Sequence, residues 1–264
     1  MSVFGDYSRF YNLLYADKDY SGESAFILSV LRKYGGASLG ADFARAPELL
    51  DLGCGTARHA ILMAKEGIAV TGVDMSETML HMGNETLAQG FWDEASPRPE
   101  LYLGDARSVR FGKTFDAVTS LFHVMSYQNT EEDALATLET AYVHLKPGGL
   151  FFFDFWYGPG VLSDPPTNRI KQMEDQDFRI TRKTRPVHRV SDNIVEVHFD
   201  ATMENKHDNS VSELSETHFM RYWFMPELRY LSMRAGFSPL TEGVWMGFAE
   251  PDIGTWNAWI VVRK

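Results

Sequence analysis

The chain has 264 residues, with 25 Lys and Arg against 36 Asp and Glu, a formal net charge of −11 with histidine neutral. That length suits one large domain, or one domain carrying a smaller insertion, and a 44% hydrophobic, 13% aromatic composition supplies a packed core and argues against a disordered chain. A single cysteine, Cys54, excludes an internal disulfide framework and a cysteine zinc cluster, and the acidic balance disfavours nucleic acid as a partner.

No apolar run approaches the roughly 18–20 residues of a membrane span, so no membrane association is expected. The richest run, residues 150–157, is broken by Asp154. The opening MSVFGDYSRF has no basic segment leading into an apolar core, so no secretory signal is expected and the location is taken as cytoplasmic.

Residues 1–45 read as helical, and of Phe4, Tyr7, Phe10, Tyr11, Tyr15, Tyr20 and Phe26 several fall at spacings of three to five, which suits one buried face. From Pro47 the rhythm changes. A strand over Glu48–Leu52 leads through the turn GCG into a helix over 57–66, stopped by Gly67. A strand over 69–73 ends at Asp74, and Ser76 caps a helix running to about Gln89. Strands follow over 101–103 and 115–121. Thr130, with Asp133 three residues on, opens a helix to about Leu145, and Lys146-Pro147-Gly148-Gly149 reads as a stop and turn before a buried strand over 150–155. Such strand–helix alternation is the mark of a parallel sheet covered on both faces.

The alternation stops after Trp156. A Pro/Gly-rich loop is predicted over 158–168, then three β-like stretches over about 178–190, 193–203 and 216–224, lying over one edge of the main sheet. A helix over 226–235 and strands over 237–244 and 255–262 complete the chain. The expected organisation is a single α/β domain: residues 1–45 as a helical lid, 46–157 and 225–264 as the core, and 158–224 as an antiparallel insertion.

The sharpest motif is LLDLGCGTARHA, residues 49–60, between a predicted strand and helix. Gly53 and Gly55 permit a tight turn and let a ligand lie against backbone, and the helix that follows presents free N–H groups. Asp74 lies 23 residues beyond Asp51, at the end of the next strand, where a carboxylate can accept both hydroxyls of a ribose. A dinucleotide fingerprint would place its third glycine at position 58. Arg58 stands there, and the fingerprint is broken.

DLGCGTA, Asp74 ending the second strand, Gly104-Asp105-Ala106 ending the third and LKPGG before the fifth together resemble the class I S-adenosylmethionine-dependent methyltransferases. The resemblance implies a Rossmann-like, doubly wound seven-stranded sheet with a reversed last strand, and S-adenosylmethionine across the carboxyl ends of its central strands. It implies that Asp51, Gly53 and Gly55 line the methionine moiety, that Asp74 binds the ribose with Met75 beside the adenine, and that Asp105 and Ala106 border the base. Leu121 and Phe122 would flank the reacting end, and Tyr15, Tyr20, Cys54 and Arg58 complete the expected cofactor set. Cys54 is read as a small residue tolerated in the turn.

A narrower resemblance runs through KDYSGE (18–23), FHVMSY, FFFDFWYGP, IVEVHF, ETHFMRYWF and MRAGF. These stretches are similar to the methyltransferases that N-methylate amino sugars linked to nucleotide diphosphates. The implied acceptor is a small polar, phosphorylated or nucleotide-linked molecule, with His123, Tyr127, Asp154 and Glu23 as candidate catalytic residues. Two departures mark the acceptor pocket. Tyr127 stands where the subgroup has a histidine, and Trp245-Met246-Gly247 replaces its Arg-Gly pair. The rival readings are an O-methyltransferase or another N-methyltransferase of small molecules, and a non-catalytic cofactor-binding protein. A homodimer is a further expectation. No spaced His/Cys/carboxylate cluster suggests a metal. Between Asn168 and Val190, seven basic residues stand against three acidic ones, with Arg179, Arg182 and Arg185 as leading anion contacts.

Overall fold

The computed structural model describes residue 14 and residues 18–36, 46–90, 92 and 96–264. Tyr15 and the aromatic run Phe4–Tyr11 lie outside the described residues. The first described helix is α1 (Tyr20–Gly35), capped by Asp19, which accepts from the Gly22 amide. Then follow β1 (Glu48–Leu52), α2 (Arg58–Lys65), β2 (Ala69–Asp74), α3 (Glu77–Gln89), β3 (Glu100–Leu103), β4 (Phe115–Ser120), a short 3-10 turn (Val124–Tyr127), α4 (Glu131–Val143) and β5 (Leu145–Trp156). The second half contains α5 (Gly158–Ser163), β6 (Arg169–Glu174), β7 (Phe178–Arg189), β8 (Ile194–Asn205), β9 (Val211–Arg221), α6 (Met225–Arg234), β10 (Ser238–Val244) and β11 (Asn257–Arg263).

Seven strands form one sheet in the order β10-β11-β5-β4-β1-β2-β3. β11 runs antiparallel to both of its neighbours and the remaining pairs are parallel, as the motif order implies for a doubly wound sheet with a reversed last strand. The buried run of β5 divides by period two. Phe151, Phe153 and Phe155 face a core with Leu138 of α4 and Leu228 and Leu231 of α6, whereas Leu150 and Phe152 face Ile27 and Leu31 of α1 and Met63 of α2. Each phenylalanine so buried contributes about 1.5–3 kcal/mol.

Three local expectations are corrected. Lys146–Gly149 is no separate turn but a wide bulge inside β5. Phe115 pairs with Leu145 and Ala117 with Leu150, so β5 advances five residues while β4 advances two. The extra backbone pairs with the end of the chain, since the Gly148 amide donates to the Lys264 carbonyl and the Lys264 amide to the Gly149 carbonyl. Residues 158–163 wind into α5 rather than a loop, with Pro159 in the first turn, where its missing N–H costs nothing. The Arg169–Glu174 stretch is a fourth strand in the smaller sheet, ordered β6-β7-β8-β9. Its polar, exposed edge position gives it no apolar alternation to read.

The smaller sheet does not lie over an edge of the main one. Tyr157, just past β5, bridges to Trp223, just past β9, and the Trp223 indole donates to the Met125 carbonyl beyond β4. Its inner face therefore stands over the carboxyl ends of β4 and β5.

Candidate active site

A cleft of about 850 Å³ opens along the carboxyl ends of β1, β2, β4 and β5. Of the candidates from sequence, Tyr20, Asp51, Gly53, Cys54, Gly55, Arg58, Asp74, Met75, Asp105, Ala106, Leu121, Phe122, His123 and Tyr127 line it. That volume lies toward the upper end of the ~300–1,000 Å³ usual for small-molecule sites, enough for more than one ligand moiety.

The glycine turn is fixed by β2. The amides of Gly53 and Cys54 both donate to the Val73 carbonyl, at 2.7 and 2.9 Å. Gly53 has φ +83°, and a Cβ there would stand 2.4 Å from Val124 Cγ2, so only glycine fits. The turn in turn positions Asp74. Its Oδ2 accepts from the Gly55 amide at 2.8 Å and its Oδ1 from the Ser76 amide at 2.9 Å. Burial raises the Asp74 carboxyl above its ordinary value, against the lowering effect of these amides. Each oxygen retains a further lone pair for hydroxyl donors.

Asp51 is buried at the end of β1, accepting from Thr119 Oγ1 at 2.8 Å. Burial pushes its carboxyl up to about 6, with the nearby carboxylates Asp74 and Asp154 adding to the rise. A carboxylate so raised is suited to a cationic partner, and the ammonium of a methionine moiety is one. Burial likewise pushes the Cys54 thiol well up, with Asp51 and Asp74 adding, which removes it as a nucleophile. Among the described residues no group of three or more His, Cys, Asp or Glu could hold a metal ion.

Asp105 is held otherwise than the motif suggests. Arg107 engages both carboxylate oxygens, Nε at 3.0 and 3.1 Å and Nη2 at 2.6 Å, and holds the carboxyl below its ordinary value. Arg107 reaches on to Asp133 at 2.8 Å, tying the cleft rim to α4. Met75, 73% exposed, forms an open rim above Asp74.

At the far end, Phe122 and His123 take φ of +62° and +64° in succession. Such a conformation costs about 1–3 kcal/mol for each non-glycine residue and persists only where the surroundings impose it. Here the restraint is Asp154, which has no exposed surface. The His123 amide donates to its two oxygens at 3.2 and 3.1 Å, and His123 Nδ1 stands 2.7 Å from Oδ2. Asp154 therefore does not line the cleft; it aims His123 into it.

Glu23, expected among the catalytic residues, is not one of the residues that line the cleft. It is buried away from the cleft wall and spent on three partners: an ion pair with Lys18, His59 Nε2 at 2.8 Å and the Trp245 indole at 3.3 Å. Burial raises its carboxyl, but the hydrogen bonds from His59 and Lys18 outweigh this and hold it below the ordinary value. It fastens α1 to the first turn of α2. Trp245, in the region that departs from the subgroup's pattern, supplies the third contact. Tyr20 sits above, edge-on to His59 at 5.0 Å with the Arg58 guanidinium over its ring at 5.1 Å.

The smaller sheet adds a wall that sequence reasoning found only in part. Arg182, Val197, Phe199, Ala201, Leu214, Glu216, His218 and Met220 face the cleft, joined by Trp156, Trp256 and Asn257. Of the three leading arginines only Arg182 reaches it. Arg179 and Arg185, at odd positions of β7, point to the other face, and Arg179 pairs with Glu174 and Glu204. Period two carried that signal for β7; the register that brings β9 to the wall was not legible.

Fold and cleft together are built like those of S-adenosylmethionine-dependent methyltransferases. Residues 49–149 match the family model described as a methyltransferase domain. Over 237 residues the chain is 28% identical to the dTDP-3-amino-3,4,6-trideoxy-alpha-D-glucopyranose N,N-dimethyltransferase of Streptomyces venezuelae, covering 88% of this chain and 90% of that one. Two crystal structures share its fold. One is a S-adenosylmethionine-dependent methyltransferase from Clostridium acetobutylicum, with TM-score 0.78, 19% identity and 99% of both chains covered. The other is Streptomyces venezuelae DesVI, with TM-score 0.76, 24% identity, and 99% and 98% covered.

Proposed function

We infer that the protein methylates the amine of a nucleotide-linked amino sugar. The observation that carries the reading is the make-up of the cleft beyond His123: aromatic faces from Trp156, Trp256 and Phe199, with one guanidinium, Arg182, over the Phe199 ring at 5.0 Å. Aromatic faces suit the C–H surfaces of a deoxysugar or the plane of a base, and a guanidinium matches a diphosphate bidentately. The cofactor would be held by Asp51 at its ammonium, Asp74 at its ribose, and Asp105 and Ala106 at its base. When bound it supplies a methyl on a sulfonium, already activated for in-line displacement, with the bonding pair of the broken C–S bond passing to sulfur. The chain's own task is then to align the acceptor nitrogen, exclude water and keep that nitrogen unprotonated. His123, held by Asp154, is the group best placed to orient the acceptor. The same pair also suits removal of a hydroxyl proton, the feature that favours the O-methylating rival. N-methyl and O-methyl products are distinguished by their proton–carbon NMR correlations.

Arg182 provides the test. Arg182→Glu is expected to raise the acceptor KM about tenfold or more at low salt, less at high salt, and to leave cofactor affinity unchanged. Arg179→Glu and Arg185→Glu, on the outer face, are expected to leave it alone. Steady-state kinetics with dTDP-linked amino sugars make the comparison. Equal effects at all three positions, or none at Arg182, would sink the assignment of an anionic acceptor.

A further inference from the structure

The cleft face of the smaller sheet is laid out in rows by its register. Arg182 stands opposite Ala201, which pairs with Leu214; Thr184 opposite Phe199, which pairs with Glu216; Pro186 opposite Val197, which pairs with His218. Glu216 and His218, two apart on β9, therefore share the inward face. His218 Nε2 lies 3.1 Å from Glu216 Oε2, and its Nδ1 lies 2.9 Å from the hydroxyl of Tyr127, which comes from the 3-10 turn after β4. All three residues line the cleft.

This order of partners fixes the ring. A carboxylate can only accept, so Nε2 carries the hydrogen facing Glu216, leaving Nδ1 to accept from the Tyr127 O–H. Among the described residues, the neighbouring strands place these groups around His218. β8 presents Val197 and, at 5.1 Å, the Phe199 ring, while Glu196 and His198 occupy the opposite face of that strand. β7 contributes Arg182, stacked on the far partner Phe199. The His218 and Glu216 side chains are about one-third accessible and Tyr127 is exposed, so the chain has an outlet to water.

We propose that Tyr127, His218 and Glu216 form a proton relay that deprotonates the acceptor's ammonium group before methyl transfer. One proton leaves the ammonium nitrogen for the Tyr127 oxygen as the tyrosine's own proton passes to His218 Nδ1. Tyrosine stays neutral, the nitrogen recovers its lone pair, and the imidazolium formed is offset by the Glu216 carboxylate until it releases a proton to water. The proposal rests on the amine reading above. It gives Tyr127, the departure from the subgroup's histidine, a histidine of its own through a different strand.

Two measurements test it. In 15N-histidine-labelled protein without ligands, at a pH high enough to keep imidazole rings neutral, His218 is expected to show the Nε2–H tautomer, with the Nδ1 resonance moving in Tyr127→Phe and the Nε2 resonance in Glu216→Gln. An Nδ1–H ring would overturn the relay. With S-adenosylmethionine and dTDP-3-amino-3,4,6-trideoxy-alpha-D-glucopyranose, His218→Gln is expected to lower kcat about 100-fold near neutral pH and to recover as pH rises past the point where the amine deprotonates unaided. Cofactor affinity should not move. His198→Gln, on the opposite face, is expected to match the parent. A loss that is the same at every pH means His218 merely fastens the sheet, and contradicts the proposal. If the parent leaves this sugar and related amino sugars unmethylated, the amine reading fails by itself, and the ring tautomer still decides whether the relay exists.

Discussion

Asp51→Asn is expected to weaken cofactor binding by about 2–4 kcal/mol, roughly 30- to 1,000-fold, while making the ligand-free protein more stable above pH 6. Both effects come from one buried carboxylate. Removing its charge deprives a bound ammonium of its counter-ion in a site where burial has stripped away water. The stability effect follows from linkage. Burial raises the folded-state value from the ordinary 3.8 to about 6, so between those values the native state holds a proton that the unfolded chain has lost. Stability from this group is full below the lower value and falls as pH rises through the window, by up to about 3 kcal/mol. Asparagine has no such penalty, and its carbonyl can still accept from Thr119. Calorimetric titration with S-adenosylhomocysteine and melting curves at pH 5 and pH 8 check the pair of effects. Unchanged affinity, or a variant less stable than the parent at pH 8, would contradict the assignment.

Asp74→Ala is expected to reduce cofactor affinity by a similar amount, about 2–4 kcal/mol, with a different effect on stability. Its two oxygens hold the Gly55 and Ser76 amides, so truncation leaves two backbone donors without their acceptor, at about 1–3 kcal/mol each where water cannot replace it. The protein should melt lower and bind more weakly, whereas Asp51→Asn melts higher and binds more weakly. Asp74→Asn, which retains one acceptor oxygen, should lie between the alanine variant and the parent. Titration with S-adenosylhomocysteine is again the readout, and an alanine variant of parental affinity would remove Asp74 from the site.

The legible parts of this protein were those written in neighbouring residues. β1, the glycine turn, Asp74 and the caps at Ser76 and Thr130 all rest on interactions within a few positions, or on one strand-to-strand step. Thr130 accepts from the Asp133 amide as its motif predicts, but the reciprocal half of the box is absent: the Asp133 carboxylate serves Arg107, 26 residues away. The contacts of Glu23 were hidden for the same reason. The KDYSGE resemblance placed it on the N-terminal segment, but its partners His59 and Trp245 stand 36 and 222 positions along the chain. Register was the other missing quantity. A period of two separates Arg182 from Arg179 and Arg185, but cannot tell which face of a strand looks inward. Nor can it show that Tyr127 meets His218 across 91 residues. The KPGG bulge was misread because its glycine and proline suit a turn equally well; only pairing with the last residue of the chain makes it part of a strand.

The most direct measurement is mass spectrometry of the protein incubated with S-adenosylmethionine and a panel of dTDP-linked amino sugars. The account predicts S-adenosylhomocysteine release matched by a sugar nucleotide heavier by one or two methyl groups, with the added carbon on nitrogen. Tight cofactor binding with no amino-sugar nucleotide methylated, or a methyl found on oxygen, would contradict it.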